Sequence, residues 1–294
     1  MNPGSVHADE NVARLLITCA DQPGIISAVS TFLYHHGANI TDFDQHTSDL
    51  RDGRFFLRLE FQLPGLQQNL DSLRTTFSER VAAQYRMEWS LTPSSEKKRM
   101  ALMVSRHDHV LMELLWRTMR GDLPAVIPMV ISNHDDLRGE VERFGIPYHH
   151  IPVQGDDKAA AEKKALELLD GQADLVVLAR YMQILSPDFV AAYPQRIINI
   201  HHSFLPAFVG ANPYQRAWER GVKLIGATSH YVTEDLDQGP IIEQNVARVS
   251  HRNSAEDLKR LGQDVEREVL LRAVRCHLED RVIVHGNKTI VFVK

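Results

Sequence analysis

The stretch Ile197-Ile198-Asn199-Ile200-His201 decides the fold of the larger part of this 294-residue chain. Its apolar residues are nearly continuous, and the earlier run Leu175-Val176-Val177-Leu178-Ala179 has the same character. Such runs are typical of strands that are buried on both faces of a parallel sheet. Strand and helix patterns alternate around both runs from Met100 onward, so we predict a doubly wound, mostly parallel α/β domain.

The spacing of apolar residues predicts the other elements of this domain. We expect strands over 100–104, 125–132 and 228–231, helices over 110–120, 136–144, 158–169 and 254–278, and a final hairpin over 281–285 and 289–293.

The front of the chain has a different order, strand-helix-strand-strand-helix-strand, which is that of a ferredoxin-like module. We expect its strands over 13–18, 40–47, 54–62 and 87–91, and its helices between Gly24 and Gly37 and over 67–85. In the third strand, alternation places Phe55, Leu57, Leu59 and Phe61 on one face and Arg58 and Glu60 on the other.

The segment from Pro93 to Lys98 is polar and lacks periodicity, which favours a linker between two domains. We therefore expect a ferredoxin-like domain over 12–92, a linker over 93–99 and the α/β domain over 100–294. Residues 1–11 lack the basic start and apolar centre of a signal peptide, so we expect a short disordered tail there.

Composition argues against several classes of partner. The net charge is −5 at pH 7, so there is no overall excess of lysine and arginine to attract nucleic acid or an anionic membrane surface. No apolar run approaches the roughly 20 residues of a membrane span. The two cysteines, Cys19 and Cys276, are too few for a disulfide scaffold, which favours the reducing cytoplasm. We expect a cytoplasmic protein with no nucleic-acid or membrane partner.

Asn199 and His201 form the most informative pair of polar residues. On a strand they project to the same side, near the carboxyl end where open α/β sheets bind ligands. A histidine there can relay a proton, and an amide can donate to an oxyanion. An acidic turn over 232–240 contains Asp237, whose carboxylate would hold the histidine or a water. The alternatives are a hydrogen-bonded core histidine and a solvated turn.

A metal site is an alternative use of the 15 histidines, which include His107-Asp108-His109, His149-His150 and His201-His202. Adjacent residues on a strand point to opposite faces, so neither neighbouring pair closes easily on one ion. His107 and His109 have no third ligand at a recognisable spacing. We therefore predict no metal site. A phosphate-binding GxxxxGKS loop and a GxGxxG motif after a strand are also absent from the sequence.

Three runs together resemble the formyltransferase domain that uses 10-formyltetrahydrofolate. They are Asn199-Ile200-His201-His202-Ser203-Phe204-Leu205-Pro206, Gly226-Ala227-Thr228-Ser229-His230-Tyr231-Val232-Thr233 and Leu236-Asp237-Gln238-Gly239-Pro240-Ile241-Ile242. The resemblance implies that Asn199, His201 and Asp237 are the catalytic residues. His230 is expected to support their orientation.

The same resemblance implies a folate-binding loop and a turn beside the pterin ring. Arg180, Tyr181 and Met182 are the expected loop contacts, and Val232, Thr233 and Asp235 are the expected contacts from the turn. The alternative is that Tyr181, Met182, Ile184 and Leu185 are core residues of the next helix.

The front module resembles an ACT domain, a small regulatory module that binds effectors such as amino acids. The matching runs are Asp21-Gln22-Pro23-Gly24-Ile25 and Gly37-Ala38-Asn39-Ile40. The resemblance implies effector contacts by Asp21, Pro23, Gly24, Asn39 and Ile40. The alternative is that Pro23-Gly24 only starts a helix and Gly37 only ends it.

An ACT module followed by a formyltransferase domain resembles the arrangement of the formyltetrahydrofolate deformylase family. This implies a hydrolase that releases formate and tetrahydrofolate for one-carbon metabolism and purine biosynthesis, with no required cofactor. The folate substrate is the expected partner, with glycine or methionine as effector and a homo-oligomer, dimer or tetramer, as the assembly.

Two other functions remain open, a formyltransferase with an unidentified amine acceptor and a non-catalytic folate or amino-acid sensor. The loop Ser105-Arg106-His107-Asp108-His109 lacks the glycine-rich turn with which similar phosphoribosylglycinamide formyltransferases hold a phosphate. This favours water as the acceptor, although Arg106 remains available to meet an anion.

Overall fold

The computed structural model describes residues 10–153, 157–206 and 213–293. The predicted tail over 1–11 lies largely outside these ranges. The chain divides into two compact units, and the first includes the described residues up to Lys97 together with Glu279–Ile283 and residues 290–293. The second includes Lys98–Leu278 and Val284–Thr289.

The first unit has the predicted ferredoxin-like order, which is confirmed. Its elements are β1 (Val12–Ala20), α1 (Ile25–His35), β2 (Asn39–Thr47), β3 (Arg54–Gln62), α2 (Leu66–Phe77) and β4 (Glu88–Pro93). After Phe77, α2 continues through a π-helical turn, Ser78–Ala82, to Tyr85. The strands form an antiparallel sheet in the order β2-β3-β1-β4.

The core of the first unit lies between its sheet and its two helices. Side chains of β1 alternate between buried and half-buried positions, as expected for a strand with one face in the core. Leu15 and Leu59 are paired across β1 and β3 and are fully buried. Helix α1 contributes Val29 and Leu33 to the same cluster.

The division of the chain differs from the sequence prediction at its carboxyl end. Residues 279–283 and 290–293 were expected in the α/β domain, but they group with the first unit. A main contact is made by Arg58, whose side chain is only 2% exposed. Its guanidinium donates to the backbone carbonyls of Glu279 and Asp280, at 3.4 and 3.1 Å, and to the Asp42 carboxylate, at 2.7 Å.

The second unit is the predicted doubly wound α/β domain, which is confirmed. Its elements are β5 (Lys98–Val104), α3 (His109–Met119), β6 (Ala125–Val126), β7 (Val130–Ser132), α4 (Arg138–Glu142), β8 (Tyr148–His150), α5 (Lys158–Leu169), β9 (Leu175–Leu178), α6 (Pro187–Ala192), β10 (Ile197–His201), α7 (Pro213–Arg220), β11 (Leu224–Tyr231), β12 (Ile241–Arg248) and α8 (Ala255–Leu278). The hairpin β13 (Val282–His285) and β14 (Lys288–Val291) follows.

The strand order positions the functional site. It runs β12-β11-β10-β9-β5-β7-β8, with β6 beside β5, and only β11 and β12 pair in antiparallel fashion with their neighbours. The chain builds outward from β5 through β7 to β8 and then returns to the other side of β5 with β9 and β10. Such a reversal leaves a crevice at the carboxyl ends of the strands, here those of β5, β9 and β10.

The predicted single strand over 125–132 is interrupted. The structure has β6 and β7 separated by residues 127–129, because Pro128 has no backbone N–H to continue a ladder of hydrogen bonds. The short strand β8 and the antiparallel strand β12 were not predicted.

We expect Arg58→Ala to lower the free energy of unfolding by about 3 kcal/mol, because it removes a buried guanidinium and leaves two partly buried carbonyl groups without a charged donor. The matched control is Arg54→Ala in the same strand, which removes only a surface ion pair with Glu88 and should cost less than about 1 kcal/mol. Urea unfolding of both variants measures the difference. Equal losses would contradict the role of Arg58 in attaching the carboxyl-terminal residues.

Candidate active site

A cavity of about 890 Å³ opens at the carboxyl ends of β9 and β10. Two irregular segments form much of its lining. One is Arg180 to Ser186, which we call the cavity loop, and the other is Val232 to Pro240, which we call the acidic turn. The lining contains all ten residues expected for catalysis and folate binding: Asn199, His201, Asp237, His230, Arg180, Tyr181, Met182, Val232, Thr233 and Asp235.

The cavity wall is apolar as well as polar. Four of the large apolar side chains that are exposed in the structure line this cavity, namely Met182, Ile184, Leu236 and Ile241. Exposed apolar side chains that converge on one concavity indicate a ligand with an apolar body.

Pairing between β10 and β11 brings the polar groups together. Asn199 lies directly opposite His230, and His201 lies opposite Thr228. Alternation along β10 then places His201 on the same face as Asn199, as predicted. On its other edge, β11 changes register against β12 between Ser229 and His230, an irregularity of the kind often found beside active sites.

His201 is held through both of its ring nitrogens. Its Nδ1 lies 3.2 Å from Oδ2 of Asp237, and its Nε2 lies 3.0 Å from the hydroxyl of Ser203. A carboxylate only accepts, so the neutral ring donates from Nδ1 to Asp237 and accepts at Nε2 from Ser203. The hydrogen bond from His201 holds the pKa of the Asp237 carboxyl far below its ordinary value. The carboxylate is therefore ionised.

The backbone of the acidic turn is built to present Asp237. The residue has a φ of 55°, a left-handed conformation that is uncommon outside glycine but tolerated by aspartate. Two residues later, a Cβ on Gly239 would lie 1.8 Å from the carbonyl oxygen of Tyr231. Glycine is therefore required where the turn crosses the end of β11. The turn is closed by a hydrogen bond from the amide of Tyr231 to the carbonyl of Pro240, at 2.9 Å.

His230 orients Asn199. Its Nδ1 lies 2.9 Å from the carbonyl oxygen of Tyr231, so Nδ1 carries a hydrogen and donates it. In the neutral ring, Nε2 then accepts from the Asn199 amide nitrogen at 3.3 Å. The second N–H of that amide remains to donate to a ligand. Oδ1 of Asp237 lies 3.6 Å from Nε2, just beyond hydrogen-bond distance.

The cavity loop divides its side chains between core and cavity. Tyr181 and Leu185 pack against the buried cluster of the domain, whereas Met182 and Ile184 are exposed. Burial raises the pKa of Tyr181 to about 12, with a further contribution from the Glu162 carboxylate. The alternative of core residues in the next helix therefore holds for the packing of Tyr181 and Leu185, but none of the four residues is helical, because α6 begins only at Pro187.

Arg180 lines the cavity, but its charge is directed inward. Its guanidinium contacts Nδ1 of His202 and its Nε lies 3.6 Å from the carboxylate of Glu266. Arginine only donates, so His202 accepts at Nδ1. Burial and the nearby Arg180 charge lower the pKa of His202 to about 4. A neutral His202 ring is stacked on His201, with 5.1 Å between ring centroids.

Glu266 was not identified from the sequence. It lies on α8, is 1% exposed, and accepts from His109 Nε2 at 2.8 Å and from the Tyr214 hydroxyl at 2.6 Å. A Cβ on Gly262 would lie 2.2 Å from the Tyr214 ring, so the helix needs glycine where this ring crosses it. A glutamate among helical apolar residues gives no signal of its own, because its partners lie far away in the sequence.

Two of the expected contacts from the acidic turn already have partners within the protein. The amide of Val232 donates to the carbonyl of Ile197 at 2.9 Å, and its side chain packs against the core. The Thr233 hydroxyl donates to the carbonyl of Asp235 at 3.2 Å.

The five predicted effector residues do not meet within one chain. Asp21, Pro23 and Gly24 follow the end of β1, where Ala20 pairs with Arg54, and Asn39 pairs with Gln62 at the other end of β3. Eight residues of strand separate the two ends, or about 26 Å. Ile40 lies beside Asn39 and packs against the core cluster.

The described residues were expected to contain neither a metal site nor a membrane-spanning helix. Within 10–153, 157–206 and 213–293, no group of three or more His, Cys, Asp or Glu side chains is arranged to hold a metal ion. In the same part of the chain, the helices are too short or too polar to cross a membrane.

Comparison with known proteins matches both units. The formyl transferase family matches residues 98–274, and the ACT domain family matches residues 13–76. A formyltetrahydrofolate deformylase of Bacillus subtilis (strain 168) is 60% identical over 285 residues, which cover 97% of this chain and 95% of that protein.

Two solved structures are similar over nearly the whole chain. The formyltetrahydrofolate deformylase of Pseudomonas syringae pv. tomato has a TM-score of 0.91 at 52% identity and covers 96% of this chain and 94% of its own. The formyltetrahydrofolate deformylase of Burkholderia mallei has the same TM-score at 42% identity, and the match covers 96% of this chain and 100% of that one.

Proposed function

Since the chain belongs to the formyltetrahydrofolate deformylase family, we propose that it hydrolyses 10-formyltetrahydrofolate to formate and tetrahydrofolate in the cavity around His201. The observation that carries the proposal is the ionised Asp237 at 3.2 Å from His201, beside an Asn199 amide with one N–H available. The attack of water on a formyl group requires a base, a counter-charge for that base and a hydrogen-bond donor to the oxyanion.

The cavity suits a folate in size and character. A volume of about 890 Å³ is in the usual range for sites that bury most of a small ligand. Four exposed side chains supply apolar contacts for the ring system, namely Met182, Ile184, Leu236 and Ile241. Arg180 is compensated by Glu266, so its role in this proposal is to hold His202 at the cavity wall rather than to pair with the glutamate tail.

In the first step, a water molecule beside Nε2 of His201 attacks the formyl carbon. The O–H bond of water breaks as the new C–O bond forms, and the proton passes to Nε2, the ring nitrogen of His201 that carries no hydrogen. The negative carboxylate stabilises the imidazolium that results. The formyl oxygen becomes an oxyanion, which accepts a hydrogen bond from the free N–H of Asn199.

In the second step, the tetrahedral intermediate collapses. The C–N bond to N10 breaks, and the proton held by the His201–Asp237 pair passes to N10 of the leaving tetrahydrofolate. The other product is formic acid, which carries one oxygen from water and releases its proton to solvent as formate. The stacked His202 stays neutral because of its lowered pKa, so it adds no positive charge beside the imidazolium.

We further propose that the ACT unit binds an amino-acid effector, glycine or methionine, within a homo-oligomer, a dimer or a tetramer. The separation of Asp21, Pro23 and Gly24 from Asn39 and Ile40 supports a site that a second copy completes. The proposed reaction needs no cofactor, because side chains supply the base and the oxyanion donor. The proposed location is the cytoplasm, where the formate enters one-carbon metabolism and purine biosynthesis.

Replacing Asp237 by Asn should reduce formate release from 10-formyltetrahydrofolate by at least about 100-fold, because it removes the charge that supports proton transfer. The assay contains no added acceptor and measures formate and tetrahydrofolate together. Asp188→Asn, at an exposed position on α6, is the matched control and should keep wild-type turnover. Undiminished turnover of Asp237→Asn would exclude the role given to this carboxylate.

Replacing Asn199 by Ala should lower kcat about 10²- to 10³-fold, the usual cost of losing one oxyanion donor. The thermal unfolding temperature should change little, because Asn199 is only partly buried. Asn245→Ala on β12, which removes a bond to Glu268, controls for loss of an amide elsewhere in the sheet. A fall in kcat of less than about threefold for Asn199→Ala would rule out oxyanion stabilisation by this residue.

A further inference from the structure

The cavity loop is a part of the substrate site that secondary structure does not support. It leaves the sheet after β9 and contains neither helix nor strand until α6 begins. Arg180, its first residue, has a φ of 64°, which is unfavourable for a residue with a long side chain. The position of Met182 and Ile184 in the cavity therefore depends on contacts from neighbouring elements.

Ser105 fixes the first half of this loop. It follows β5, is 3% exposed, and its amide donates to the carbonyl of Arg180 at 3.2 Å. Its hydroxyl accepts from the amide of Met182 at 2.9 Å and donates to Oδ1 of Asn133 at 2.7 Å. Ser105 thus forms hydrogen bonds with the residues on both sides of Tyr181, and these bonds hold the strained start of the loop.

Glu162 fixes the other end. It lies on α5, is 9% exposed, and its Oε1 accepts from the amide of Ser186 at 3.0 Å. The ammonium group of Lys158, on the same helix, lies 3.8 Å from the same oxygen. Ser186 in turn begins α6, where its hydroxyl accepts from the amide of Phe189 at 3.2 Å. A buried carboxylate therefore anchors the exit of the cavity loop.

We propose that Ser105 and Glu162 are positioning residues for substrate binding, which hold the two ends of the cavity loop so that Met182 and Ile184 meet the folate ring system. Neither side chain lines the cavity, so both act through the loop. The inference rests on the proposed function, because it takes a folate as the molecule that the loop contacts. The catalytic residues lie on β10 and the acidic turn, outside the loop.

The test is the effect of Ser105→Ala on binding and on turnover measured separately. We expect KM for 10-formyltetrahydrofolate, and Kd for tetrahydrofolate by titration calorimetry, to rise about tenfold, since a buried hydrogen bond to the loop is lost. We expect kcat to stay within about twofold. Ser132→Ala on β7 is the matched control: it removes a buried hydroxyl that accepts from the amide of His134 and donates to the carbonyl of Ser105 at 3.5 Å, but it leaves the bonds between Ser105 and the loop in place.

A second pair of variants tests the other anchor and guards against a Ser105 variant that fails to fold. Glu162→Ala removes the acceptor for Ser186 and should raise KM and Kd as Ser105→Ala does. Glu162→Gln keeps a side-chain oxygen in the same place and should restore both values toward those of the wild type. Restoration by an uncharged side chain identifies the hydrogen bond, rather than the charge, as the anchor.

Three outcomes overturn the inference: unchanged KM and Kd in both Ser105→Ala and Glu162→Ala, a fall in kcat at constant KM, or an equal rise in Kd for Ser132→Ala. A wild-type chain that binds tetrahydrofolate but releases no formate would overturn the proposed hydrolysis alone, and the Kd values would still decide the role of the loop. A wild type that neither binds nor hydrolyses would overturn both.

Discussion

The contact between Asp237 and His201, 3.2 Å from carboxylate to Nδ1, is the interaction on which the remainder of the site depends. It joins a turn to a strand and fixes which ring nitrogen carries the hydrogen. Several costly features serve it. Asp237 adopts a left-handed backbone, Gly239 allows the turn to pass within contact of Tyr231, and β11 shifts its register at His230. Such local strain persists where the surrounding packing compensates for it.

Behind this contact lies a second, largely buried layer of charge. Glu266, Arg180, His109 and Tyr214 combine into a buried polar network, which is stable only because each charge has partners. The network ends at His202, whose neutral ring is stacked on His201. The histidines that the sequence offered as metal ligands thus have another use: His109 holds a carboxylate, and His202 supports the reacting imidazole.

How much of the structure can be predicted from the sequence depends on how far apart the interacting residues lie along the chain. Alternation along one strand is local, and it correctly placed Asn199 and His201 on one face of β10. Asp237 became a strong candidate only through the family resemblance, because a carboxylate in a polar turn has no local mark of function. Ser105, Glu162 and Glu266 were missed, since each acts on residues at least 24 positions away. The attachment of residues 279–283 to the first unit was missed for the same reason, because it rests on the distant Arg58.

Hydrolysis in oxygen-18 water tests the central claim most directly, that water is the acceptor of the formyl group. A single turnover of 10-formyltetrahydrofolate by the purified chain, with no amine present, should give formate that carries one labelled oxygen per molecule. Mass spectrometry of the formate reads the label. Unlabelled formate, or formyl loss that occurs only after an amine acceptor is added, would contradict the account.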